Sequence, residues 1–160
     1  MANEIGEILS TLNDLIETCK DSQHGFQSAG EKLKDPEIHT LFLKFYLQRS
    51  EFAGELQAEV TRIGGDPATS GSALGAIQRG WSGLKTALAV DTDFAILDEA
   101  DKGEDAAVKN YIVALRKNLP ADLESIVSRQ FHDIQQAHRI IREFLDKHHS
   151  TTDLPMAGLR

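Results

Sequence analysis

Residues 35–67, DPEIHTLFLKFYLQRSEFAGELQAEVTRIGGDP, hold one complete helix together with its start and stop signals. Asp35 suits the N-cap, Pro36 suits the first helical position, and Glu37 puts negative charge at the positive end of the helix dipole. Ile38, Leu41, Phe42, Phe45, Phe52, Leu56 and Ile63 then recur at threes and fours, which is the period of an amphipathic helix. Gly64-Gly65 follows the last of them, and Asp66-Pro67 closes the stretch, as expected of a helix C-terminus. An apolar stripe this long has to be buried against other helices.

Working outward, Ile5, Ile8, Leu12, Leu15, Cys19, Phe26 and Leu33 predict a helix over residues 3–33. The turn at Asp35-Pro36 is short, so these two helices are antiparallel neighbours. Downstream, residues 66–72 are rich in Gly, Ser, Thr and Pro and predict a loop. Leu74, Ile77, Trp81, Leu84 and Leu88 predict a shorter helix that crosses the length of the bundle, with Trp81 anchoring it. A third long helix starts near Asp93 with Phe94, Leu97, Val108, Ile112 and Leu115, and Asn118-Leu119-Pro120 ends it. The fourth starts near Pro120 and carries Leu123, Val127, Phe131, Ile134, Ile141 and Leu145. No stretch alternates as a strand does. The fold class is therefore all-α: a bundle over residues 1–149 and a mobile tail over residues 150–160. Two hairpins with one long, helix-containing crossover between the second and third helices form the ferritin-like, up-down four-helix arrangement.

Composition excludes several functions. A formal charge of −8 with no basic stripe disfavours nucleic acid and anionic membrane surfaces. No run of about 18 apolar residues occurs, and the N-terminus is acidic where a secretion signal is basic. One cysteine, Cys19, fits a reducing compartment, and the cytoplasm is the expected location. There is no phosphate-binding glycine loop, no G-x-S-x-G elbow and no Cys-x-x-Cys. A histidine phosphotransfer bundle needs an exposed His followed closely by Lys and Gly, which His24-Gly25-Phe26 does not supply.

The chemistry of a bundle lies where polar side chains interrupt the inward seams. On the first helix the gap between Cys19 and Phe26 falls to Ser22 or Gln23. On the second, Phe45 and Phe52 bracket Arg49. On the third, the seam passes through Asp101 and Glu104, and on the fourth His138 sits among apolar neighbours. A buried charge is costly unless paired or bound to metal. Two readings follow. In one, Arg49, Asp101, Glu104, Gln135 and His138 form a closed polar network. In the other, Glu104 and His138, helped by Glu55, Asp101 or Asp21, hold a single iron, zinc or manganese ion. The network is preferred, because an arginine level with a carboxylate repels a cation and satisfies the acid itself. A di-iron centre needs Glu-x-x-His on two helices, and the nearest approach here is Gln135-x-x-His138.

The remaining candidates have bland readings. His24, His39 and His132 read as surface histidines and His148-His149 as a solvated pair. Cys19 reads as a small core residue, and Glu51 with Glu55 as a solvated face.

The segments LNDLIE, GFQSA, EVTRIGGDP, RGWSGLKTAL and GEDAAVKNYIVAL resemble a bacterial family of ferritin-like four-helix-bundle proteins known only as a domain of unknown function. The resemblance spans residues 5–147 and implies the fold but no activity. Beside the wider bacterioferritin and rubrerythrin superfamily, Glu104 falls at the third-helix ligand and His138 at the fourth-helix histidine. Gln135 stands at the fourth-helix glutamate, Arg49 and Phe52 at the second-helix pair, and Cys19 at the first-helix glutamate. The resemblance thus implies a degraded di-metal site. The expected protein is a non-enzymatic interaction or stress-associated bundle, with no cofactor, forming a homo-oligomer or binding a protein partner; the rival is a metal-binding member using the partial site.

Overall fold

The computed structural model describes residues 2–70 and 80–152. Leu74 and Ile77, expected on the crossover helix, and residues 153–160 of the expected tail lie outside that range. Among the described residues the elements are α1 (Ala2–Lys32), α2 (Pro36–Arg62), α3 (Leu84–Val90), α4 (Asp93–Leu115) and α5 (Ala121–Thr152), with no strand. The helices form a ferritin-like bundle in which α1 lies against α2 and α4, and α5 against α4.

Asp35 is the N-cap the sequence marks, and the structure adds Thr92. Asp35 Oδ1 accepts from the amides of Glu37 (2.9 Å) and Ile38 (3.4 Å) ahead of Pro36, and Thr92 accepts from Ala95 N. Asp93 adds a link no periodicity marks. Its carboxylate accepts from Lys34 N at 2.9 Å and Asp35 N at 3.0 Å, tying the α1–α2 turn to the start of α4. At the other end Gly64 adopts φ 90°, a conformation only glycine takes without strain. Asn13 of α1 then accepts from Ala68 N and donates to Asp66 O, which pins the departing loop.

The crossover is fastened by Trp81, whose indole lies in a slot between Gly25 of α1 and Gly103 of α4. A Cβ at Gly25 would stand 2.5 Å from the ring and one at Gly103 2.2 Å from it. Two facing glycines thus let a large ring pass between helices that would otherwise meet side chain to side chain. The indole packs edge-on against Phe26, with centroids 5.4 Å apart.

The interior is two apolar clusters. The first is built on Leu12, Leu15, Ile16, Leu56, Val60, Leu123 and Val127. The second is aromatic, with Phe26, Phe42, Phe45 and Trp81 beside Ile96, Leu97 and Ile141. Phe45 belongs to one cluster and Phe52 to the other, so the residue between them on α2, Arg49, marks the boundary.

α5 runs through Thr152, so its last residues overlap the stretch expected as the start of the tail.

Candidate functional site

Arg49 of α2 and Glu104 of α4 meet at the boundary between the clusters. Each side chain is 0% exposed. Nη1 donates to Oε1 and Nη2 to Oε2 of the same carboxylate, the planar fork-on-fork pairing for which arginine is suited. The third donor, Nε, reaches Gln48 Oε1 at 3.2 Å, and the guanidinium carbon lies 5.3 Å from the centroid of Phe26. Burial pulls the Arg49 pKa down; the charge of Glu104 and its hydrogen bonds more than reverse this, so the net shift is upward.

A second polar chain runs beside it. Cys19 Sγ lies 3.1 Å from the Tyr111 hydroxyl, which donates to Gln130 Oε1 at 2.7 Å. Gln130 Nε2 in turn donates to Glu55 Oε1 at 2.8 Å, and Arg129 pairs with the other Glu55 oxygen. The chain therefore starts fully buried and ends at the surface. Burial pushes the Cys19 thiol up to about 11, against the weaker pull of its Tyr111 hydrogen bond. Burial also holds the Tyr111 phenol well above its ordinary value. Both groups stay neutral.

The remaining expected members are placed differently. His138 Nε2 and Asp101 Oδ1 are 2.9 Å apart on the α4–α5 edge, with side chains 14% and 18% exposed, and Arg142 approaches the same Asp101 oxygen at 3.7 Å. The expected single network is thus two separate pairs, Arg49–Glu104 inside and Asp101–His138 at the edge. Gln135 joins neither: it is exposed. The reason is rotational. The buried line of α5 is Leu123, Val127, Gln130, Ile134, Ala137 and Ile141, so positions 135 and 138 each lie one residue, about 100°, beyond an inward-facing one. Gln130 is the residue the seam passed over, because a half-buried phenylalanine follows it at position 131. Tyr111 was missed in the same way: the expected seam of Val108, Ile112 and Leu115 sits one residue from the buried line of Ala107, Tyr111 and Ala114.

The other candidates are dispersed. His24 and His132 are not brought to the Arg49–Glu104 pair, and His39, which is exposed, bonds the Gly30 carbonyl through Nδ1 at 2.6 Å. Glu51 is exposed, whereas Glu55 is half-buried at the end of the Gln130 chain. Ser22 is the residue that fills the gap on α1.

This donor set does not fit a di-metal centre. Both Glu104 oxygens are taken by Arg49, Asp101 serves His138, Glu55 serves Gln130 and Arg129, and Glu99 accepts from Gly83 N at 2.9 Å. Glu104 and His138, the two expected ligands, have different partners. Among the described residues no three His, Cys, Asp or Glu side chains gather as a group that could hold a metal ion.

The fold recurs in solved structures. A mutant of Mycobacterium smegmatis Dps1 superposes with a TM-score of 0.76 at 13% identity, covering 91% of this chain and 99% of that one. A ferritin-like, diiron-carboxylate protein from Bacillus anthracis str. Ames gives 0.71 at 12% identity, with the same coverage. At these identities the likeness is one of fold. No curated protein matches the chain. Residues 7–117 match the family described as Domain of unknown function (DUF2383), and the chain belongs to that family.

Proposed function

We propose that this chain is a ferritin-like bundle without catalytic chemistry, whose centre is a structural ion pair although one protein of the same fold, that from Bacillus anthracis, is described as diiron-carboxylate, and that it works through its outer surface by associating with protein, copies of itself first. The observation that carries this reading is the pairing of Glu104: each oxygen of a fully buried carboxylate already accepts from the guanidinium of Arg49, which balances its charge and places a positive charge where a cation would sit. The buried Cys19 thiol supports a reducing, cytoplasmic setting. No helix among the described residues is long and apolar enough to cross a membrane.

Elemental analysis of protein purified without added metal, followed by iron(II), zinc and manganese titration, tests the reading. The expected result is no stoichiometric metal and no accelerated iron(II) oxidation. Metal bound in a fixed ratio to protein and lost in Glu104→Ala/His138→Ala would overturn it and establish the rival single-ion site.

A further inference from the structure

The outer face of α2 is uncharged along nearly its whole length. Thr40, Leu43, Leu47, Gly54, Ala58 and Thr61 are all exposed and fall within about 60° of one another around the helix, over about 30 Å. Leu43 is 53% and Leu47 54% exposed, two large apolar side chains one turn apart facing solvent in a protein of net charge −8. Farther along the same line the residues turn small. Gly54 is not there for the packing of its own chain, since a Cβ added to it meets nothing within 4 Å. In a helix interior glycine costs stability relative to alanine.

We infer that this face of α2 binds the same face of a second copy, antiparallel, about a two-fold axis passing between Ser50 and Glu51. The inference gives a surface and a register to the self-association proposed above and rests on that reading. An isologous contact must be self-complementary, and this one is. About that axis Leu47 falls opposite Gly54 of the second copy and Leu43 opposite Ala58, so each large side chain of one helix meets a small residue of the other. The absence of a side chain at Gly54 lets the backbones approach where Leu47 enters. Along one edge the same register brings Lys44 towards Glu55 of the second copy and Glu37 towards Arg62, opposite charges in both cases, with Glu55 also bound to Gln130 and Arg129 and Arg62 to Glu59 and Asp122 of their own chain. Only Glu51, next to the axis, approaches its own counterpart. A parallel arrangement would instead put leucine on leucine and glycine on glycine, leaving a gap at one end.

Sedimentation of the full chain over a concentration series tests the surface, and crosslinking tests the register. The wild type forms a concentration-dependent dimer. Leu47→Glu weakens it at least about tenfold, because a carboxylate would be buried against a helix backbone. Its helix content remains that of the wild type, as does its melting at concentrations where both are monomeric, since Leu47 lies outside the core. Glu51→Gln, which removes the like-charge approach, tightens it. Glu51→Cys crosslinks to its counterpart with a short bis-maleimide, whereas Thr40→Cys, far from the axis, does not. A strictly monomeric protein, a dimer indifferent to Leu47→Glu, or Thr40→Cys crosslinking as readily as Glu51→Cys would each overturn the inference. These outcomes are independent of the metal titration: a monomer that binds no metal leaves the closed centre standing and removes only the α2 contact.

Discussion

Arg49 and Glu104 pair face to face at zero exposure, at the boundary between the two apolar clusters of one bundle. Truncating one partner leaves a full charge buried and unpaired, so Arg49→Leu is expected to destabilise by about 3–5 kcal/mol. Arg49→Leu/Glu104→Leu removes both charges and is expected to recover most of that loss. Urea midpoints of the wild type, the two single variants and the double variant give the coupling as a double-mutant cycle. A double-variant loss equal to the sum of the two single losses would show that the pair is not coupled.

The thiol of Cys19 supplies a pH dependence. Its folded pKa is about 11 against an ordinary value of 9.0, so the native state favours the protonated form. That stability is fully present below pH 9 and is lost as pH rises towards 11, by about 3 kcal/mol. Tyr111, shifted in the same direction from an ordinary value of 10.0, adds to the loss from about pH 10 upward. Cys19→Ala should flatten the part of the stability profile between pH 9 and 11. At neutral pH the native thiol is expected to react with a disulfide reagent only at the rate of unfolding, which stopped-flow absorbance measures.

The glycine slot around Trp81 reverses the usual sign of a helix substitution. Glycine to alanine in a helix interior ordinarily adds about 1 kcal/mol of stability. Gly103→Ala would place its Cβ 2.2 Å from Trp81 Cε2, and the expected outcome is a loss of about 1–3 kcal/mol from overpacking. The indole should also leave its buried position, seen as a red shift of tryptophan emission. Stabilisation with unchanged emission would show that the slot is looser than the structure has it.

Asp93 fastens two parts of the chain far apart in sequence. Asp93→Ala frees the Lys34 and Asp35 amides that its carboxylate holds, and the expected cost is about 1–2 kcal/mol. Hydrogen exchange is the sharper readout: both amides should lose protection while those in the middle of α2 keep theirs.

The four long helices and their order were legible because each rests on local rules; the crossover helix was less so, since Trp81, expected on it, lies ahead of α3 (Leu84–Val90). Asp35-Pro36, Gly64-Gly65 and Asn118-Leu119-Pro120 are punctuation that acts within a turn of itself, and the apolar period acts within one helix. Arg49 was legible for the same reason: a charge between Phe45 and Phe52 on the apolar stripe has nowhere to go but inward. Glu104 followed, as the acid at the corresponding place on its own helix. Gln130 and Tyr111 were not legible, because both carry polar atoms and each has a half-buried apolar neighbour that lies about as well on a periodic line.

The sequence by itself thus determined an all-α bundle of two hairpins with charged side chains on its inward seams. Only the tertiary structure decided the pairings: Glu104 to Arg49, His138 to Asp101, Tyr111 to both Cys19 and Gln130, and Trp81 into the gap between two glycines. Periodicity fixes which way a side chain points to within about one residue, 100° around a helix. Which atom it meets depends on the rotation and height of a neighbouring helix, and that is set by the packing of the whole core.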